Sequence, residues 1–137
     1  MVRGPAGYRE LEHTADWELE AWAPDLPSLL EQAARGMYRL AGARLQAGHR
    51  HERQLNLPMK DPESLLVTFL AELLFLEEQE GLAFDVFDLR IEADGLHARL
   101  SGGPLASIDK EIKAVTYHNL AIHQTPGGLT VNIVFDV

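Results

Sequence analysis

The chain has 137 residues, 46% of them hydrophobic and 24% charged, which suits one domain with its own core and no need of disulfide or metal staples. Twelve Lys and Arg against 21 Asp and Glu leave a net charge of −9, so the surface as a whole repels a phosphate backbone and tight direct nucleic-acid binding is not expected. The absence of cysteine removes thiol nucleophiles, zinc ribbons and redox pairs. No apolar run approaches the roughly 20 residues of a membrane helix, and residues 1–5 lack the apolar stretch of a signal peptide. A cytoplasmic protein with no membrane partner is expected.

Residues 8–13 alternate as a strand does, with Tyr8, Glu10 and Glu12 on one side and Arg9, Leu11 and His13 on the other. A second strand is predicted over 17–23, setting Trp17, Leu19, Ala21 and Ala23 against Glu18, Glu20 and Trp22. Between them, Glu12-His13-Thr14-Ala15-Asp16 is polar, compact and without an evident role in packing. Asp25 caps a helix with Pro27 in its first turn. Leu29, Leu30, Ala33, Ala34, Met37 and Leu40 make its apolar stripe, and it ends near Gly42. From Arg44 to Lys60 the charged residues Arg50, Glu52 and Arg53 mingle with His49 and His51 and read as a solvated loop and strand face, with a strand around 54–57. Asp61-Pro62-Glu63 opens a second helix with the same capping chemistry and an acid that suits the helix dipole. Its apolar positions, Leu65, Leu66, Phe69, Leu70, Leu73, Leu74 and Leu76, are dense enough to require burial on most of the helix surface before it stops at Gly81.

Strand chemistry follows. Residues 84–93 and 96–100 flank Asp94-Gly95, a two-residue hairpin signal. Gly102-Gly103-Pro104 reads as a turn, and 112–124 as one long extended segment. Pro126-Gly127-Gly128 turns the chain into 129–137, where Leu129, Val131, Ile133 and Phe135 alternate with Thr130, Asn132, Val134 and Asp136. This order predicts the α+β class: two helices packed on a mostly antiparallel sheet, in a single domain over 1–137 with no linker or internal repeat.

No phosphate-binding Gly-rich loop with its Lys, dinucleotide fingerprint or nucleophile elbow is present. Three polar features remain. One is His13-x-x-Asp16; another is Ile112-Lys113-Ala114-Val115-Thr116-Tyr117-His118; the third is Asp136 beside the terminal carboxylate of Val137. Those two carboxyl groups, with Asp16 brought in by the fold, would form an oxygen cluster of the kind that Ca²⁺, Mg²⁺ or Mn²⁺ favours. Plainer roles fit the same residues. Asp16 would end a strand or cap a turn, Asp136 would be solvated, Lys113 would be a surface charge near Glu111, and His118 a hydrogen-bonded imidazole.

The residues also carry a family resemblance. Leu11-Glu12-His13-Thr14-Ala15-Asp16 resembles the entry motif of the archease family, Ile112 to His118 its second motif, and Ile133-Val134-Phe135-Asp136-Val137 its terminal strand. Leu70-Ala71-Glu72-Leu73-Leu74-Phe75-Leu76 is similar to the family's middle helix, and the motifs run in order over 8–137. The resemblance implies an α+β fold and a protein that is not itself an enzyme. Its partner would be the manganese-dependent RNA-splicing ligase, which is charged with guanylate and joins 2′,3′-cyclic phosphate and 5′-hydroxyl ends. The accessory protein would promote the ligase's guanylation and repeated turnover. The resemblance places a divalent cation, Ca²⁺ first with Mg²⁺ and Mn²⁺ as alternatives, on Asp16, Asp136 and the carboxylate of Val137. It gives Lys113 a role in partner activation, with His13, Thr116 and His118 at motif positions. On a straight strand Lys113 and His118 would face opposite sides, so a shared site needs a bulge. The same motifs admit a chaperone-like modulator of a tRNA cytosine methyltransferase, and a metal-dependent enzyme acting alone is the third reading.

Overall fold

The computed structural model describes residues 4–11 and 17–137; His13 and Asp16 lie outside them. In chain order the elements are β1 (Gly7–Leu11), β2 (Trp17–Ala23), α1 (Leu26–Ala41), β3 (Arg44–Leu45), β4 (His51–Leu57) and α2 (Pro62–Glu80). They continue with β5 (Leu82–Glu92), β6 (Gly95–Ser107), β7 (Ala114–Val115), β8 (His123–Thr125) and β9 (Gly128–Asp136).

Both helices begin and end where their capping residues dictate. The Asp25 side chain accepts from the Ser28 amide at 2.9 Å and that of Asp61 from the Ser64 amide at 2.8 Å. Each cap satisfies an amide that the first helical turn leaves open, typically worth about 1 kcal/mol. Gly42 and Gly81 close them in the left-handed region at φ 67° and 66°, a conformation that glycine adopts without a Cβ penalty. Leu29, Leu30, Ala33 and Met37 of α1 and Leu65, Leu66, Phe69, Leu70 and Leu73 of α2 are fully buried. Each large side chain so buried contributes about 1.5–3 kcal/mol of transfer free energy.

The helices pack on two sheets rather than on one. β1, β2 and β9 run side by side, and the far edge of β9 carries both β7 and β8; the second sheet is built on β6, which pairs with β3, β4 and β5. All pairings among the described residues are antiparallel. α1 lies on β1 and β2 and reaches β5, while α2 packs on α1, β5 and β7. The buried side chains of both helices and of β2, β6 and β9 join one core.

Two segments differ from expectation. Gly102, Gly103 and Pro104 do not turn the chain but sit inside β6, opposite a bulge where the β5 register shifts between Phe84 and Val86. A Cβ on Gly102 would overlap the Ala83 carbonyl oxygen, so the glycine is there to let two backbones approach. Residues 112–124 are not one extended run. Pairing with β9 breaks off at Val115 and resumes only at His123; in the turn between, Leu120 N–H donates to Tyr117 O at 3.1 Å and Asn119 takes φ 52°. Asn tolerates that left-handed conformation better than other side chains with a Cβ. The loop returns over the start of α2, where the Ile122 amide donates to the Glu63 carboxylate at 3.0 Å.

Candidate functional site

The C-terminal strand β9 is flanked on both edges at its end. On one side Trp17 pairs with Phe135, and on the other Val115 pairs with Phe135 and Ala114 with Asp136. The Lys113 amide donates to the Asp136 carbonyl at 2.8 Å. Strand alternation then decides the side chains: Phe135 points into the core and is fully buried, so Asp136 faces solvent. Among the described residues the Asp136 carboxylate has no ion pair, and neither has the Lys113 ammonium. The fold therefore brings two of the singled-out residues, Lys113 and Asp136, onto adjoining rungs and leaves both charges open.

The remaining second-motif residues take different parts. Thr116 is tied into the scaffold, its amide and its hydroxyl both donating to the Val134 carbonyl at 3.0 Å. That hydroxyl also accepts from the His118 amide at 3.2 Å, which starts the turn. His118 is exposed on the turn with Nε2 3.3 Å from Asn119 Nδ2, and Tyr117 beside it is 59% exposed. Because the chain leaves the strand at Thr116, the geometry relating Lys113 to His118 is set by a turn and not by strand alternation.

One residue at this end escaped the sequence reading. Lys110 holds its ammonium 5.9 Å from the centre of the Trp17 ring, within the range of a cation–π contact. Its backbone is fixed because the Asp109 and Lys110 amides both donate to the Ala41 carbonyl, at 2.9 and 3.0 Å. The signal was slight: a Lys in a loop, with only the aromatic Trp17 beside a polar motif to attract it.

Beside Lys113 opens a groove of about 730 Å³ between the last turns of α2 and the segment from Leu105 to Val115. Glu77, Glu78 and Glu111 line it together with apolar side chains. Burial, and after it the charge of Glu111, pushes the Glu77 carboxyl above the ordinary Glu range.

A different group lies at the hairpin end of β6. Ligand atoms of Glu92, Asp94 and His97 fall within 4.8 Å of one another. Local contacts account for their charges: His97 bonds Asp94 at 2.7 Å and holds its carboxyl below the usual range, while Arg90 stands 3.6 Å from Glu92. Among the described residues, no helix is long and apolar enough to cross a membrane.

The architecture is that of a small α+β protein that joins Lys113 to Asp136 at a strand end. The sequence profile of the Archease protein family matches residues 8–137, and the chain belongs to that family. It is 34% identical to the protein archease of Methanosarcina mazei, covering 95% of each chain, and 32% identical to that of Thermococcus gammatolerans, covering 88% of this chain and 91% of the relative. The crystal structure of a Thermotoga maritima archease, described as a possible chaperone, superposes with a TM-score of 0.72 at 25% identity, over 100% of this chain and 98% of that one. The solution structure of protein 1598 of Methanobacterium thermoautotrophicum matches the fold with a TM-score of 0.70 at 24% identity, over 96% of this chain and 99% of that one.

Proposed function

We propose that this protein is a non-catalytic accessory factor of the RNA-splicing ligase, promoting its guanylation and multiple turnover in joining 2′,3′-cyclic phosphate and 5′-hydroxyl RNA ends. The observation that carries the reading is the junction of Lys113 and Asp136 on the exposed end of β9, within a chain that belongs to the archease family. Asp136 offers an exposed carboxylate on rigid backbone, and Asp16 precedes Trp17, whose strand partner is Phe135. Asp16, Asp136 and the carboxyl group of Val137 would hold a divalent cation, Ca²⁺ or else Mg²⁺ or Mn²⁺, since carboxylate oxygens suit hard cations. When bound, such a cation neutralises carboxylates that otherwise repel one another and presents positive charge to the partner. Lys113, whose amide is bonded to Asp136, would act in partner activation, Thr116 fixes the backbone that follows it, and His118 and His13 are further motif positions. The net charge of −9 favours encounter with a basic, RNA-binding enzyme, by opposite fields. A cytoplasmic location fits that partner.

The test is joining of cyclic-phosphate RNA ends under multiple turnover by the ligase of the same organism, with and without this protein. Wild type is expected to carry joining well beyond one product per ligase. Asp136→Asn is expected to lower the stimulation about tenfold or more, with an unchanged melting temperature. No stimulation by the wild type sinks the ligase reading. The relevant second reading is then a chaperone-like modulator of a tRNA cytosine methyltransferase, favoured by the description of the Thermotoga relative as a possible chaperone.

A further inference from the structure

α2 is apolar around most of its circumference, and its neighbours cover only part of it. Leu73 and Leu76 are buried, yet Phe75 between them is 55% exposed and Leu74 is half-buried. Both line the groove, whose opposite wall supplies Ile108 and Val115. The fold thus leaves an apolar floor open to water in a concave groove with polar groups at its rim, the form that binding sites take.

The rim says what kind of partner fits. Glu78 and Glu111 are exposed, neither has an ion pair among the described residues, and Glu77 is near enough to Glu111 to feel its charge. Against three carboxylates the groove lining offers one cation, Lys113. An occupant that is apolar alone would leave these charges uncompensated. A second copy of the chain is disfavoured because each brings a net charge of −9.

We infer that the groove formed by Leu74, Phe75, Glu78, Ile108, Glu111 and Val115 docks a segment of a partner protein in which an apolar side chain is flanked by Lys or Arg. The apolar side chain packs against Phe75 and Leu74 on the floor, and the flanking cations meet Glu78 and Glu111 on the rim. The chemistry of the occupant is read from the groove itself; only its origin in the ligase rests on the function proposed above. Lys113 sits where the groove meets the end of β9, so a segment held there would bring its parent protein against the Lys113–Asp136 junction.

Two measurements test this separately. In the first, ¹⁵N-labelled protein is titrated with the peptide acetyl-Gly-Lys-Arg-Leu-Phe-Lys-Arg-Gly-amide and with an analogue in which every Lys and Arg is Gln. Amide shifts confined to residues 71–78 and 105–115 are expected for the basic peptide. The Gln analogue and the exposed-site variant Glu111→Lys should each weaken binding by about fivefold or more. Shifts elsewhere, equal binding of the Gln analogue, or no shifts up to about 2 mM peptide overturn the inference. In the second, Phe75→Ser and Glu111→Lys are assayed for stimulation of the ligase. Groove binding of the peptide with no stimulation by the wild type keeps the groove and removes the ligase as its partner. Stimulation by the wild type that both variants retain in full overturns the ligase as the occupant of the groove, and the peptide titration alone then decides the docking role.

Discussion

The four-stranded sheet and the end of β9 treat charge in opposite ways. Around the sheet, several charges are paired within the chain: Arg50 bonds Asp85 and also Ser101, Arg53 meets Glu80 at 2.5 Å, and His97 meets Asp94 at 2.7 Å. Hydrogen bonds from these partners hold the carboxyls of Asp85, Glu80 and Asp94 below their ordinary values. The three arginines between Arg44 and Lys60 are all absorbed this way, with Arg44 3.5 Å from Asp109. At the end of β9 and along the groove the opposite holds: among the described residues, Lys113, Glu111, Glu78 and Asp136 have no ion pair, and Glu77 is pushed toward protonation. Charges that a fold neutralises internally are spent on its own surface order. Charges that it leaves open next to exposed aromatic surface are available to something else.

If that division is right, the sheet should fail through its backbone and the open end through its function. The largest effect is expected at Gly102. Its Cβ has no room against the Ala83 carbonyl and the Phe84 backbone, so Gly102→Ala should cost roughly 3 kcal/mol in chemical denaturation. By contrast Arg53→Met, which removes an ion pair that is over a third exposed on each side, should move the melting temperature by no more than about 2 °C. A larger loss from Arg53→Met than from Gly102→Ala would reverse the view of what holds that sheet. At the other end, Lys113→Met is expected to leave the melting temperature in place and to lower ligase stimulation about tenfold. Equal stimulation by Lys113→Met and wild type would show that the open charge at this end is incidental.

The sequence was most legible where local chemistry and burial agree. Asp25, Gly42, Asp61 and Gly81 bound both helices at the residues their capping roles predict, and the Asp94-Gly95 turn joins β5 to β6 as expected. Legibility failed where a residue type serves two masters. Gly102-Gly103-Pro104 has turn composition, yet it is the bulge in β5, far away in sequence, that demands the small residue. Residues 112–124 have strand composition, but the Thr116 hydroxyl and the left-handed Asn119 redirect them. At the site, the alternation of β9 already put Asp136 on the solvent side. Its neighbour Lys113 stood out in the polar segment from Ile112 to His118, its role came from motif likeness, and only long-range pairing explains why the two adjoin. Lys110 and the groove were invisible because they depend on contacts between segments that no local pattern encodes.

The smallest effect sharpens the comparison from the side of pH. Burial and the charge of Glu111 raise the Glu77 carboxyl above its unfolded value. Between those two values the folded chain binds this proton more often than the unfolded chain does. Stability therefore falls as pH rises through that window, and the penalty persists above it. Asp85, Glu80 and Asp94 act in the other direction: their contribution is present above the unfolded value and is lost as pH falls through the lowered one. Glu77→Gln, which removes one charge of the groove, should raise the melting temperature at pH 7, and its advantage should shrink to nothing near about pH 4, where the unfolded carboxyl also protonates. Thermal melts of both proteins across that range provide the measurement. A constant difference at every pH would assign the effect to packing instead. If the pH dependence holds, the same variant should bind the basic peptide less well, because the uncompensated charge that burdens the free protein is the one a cationic partner would relieve.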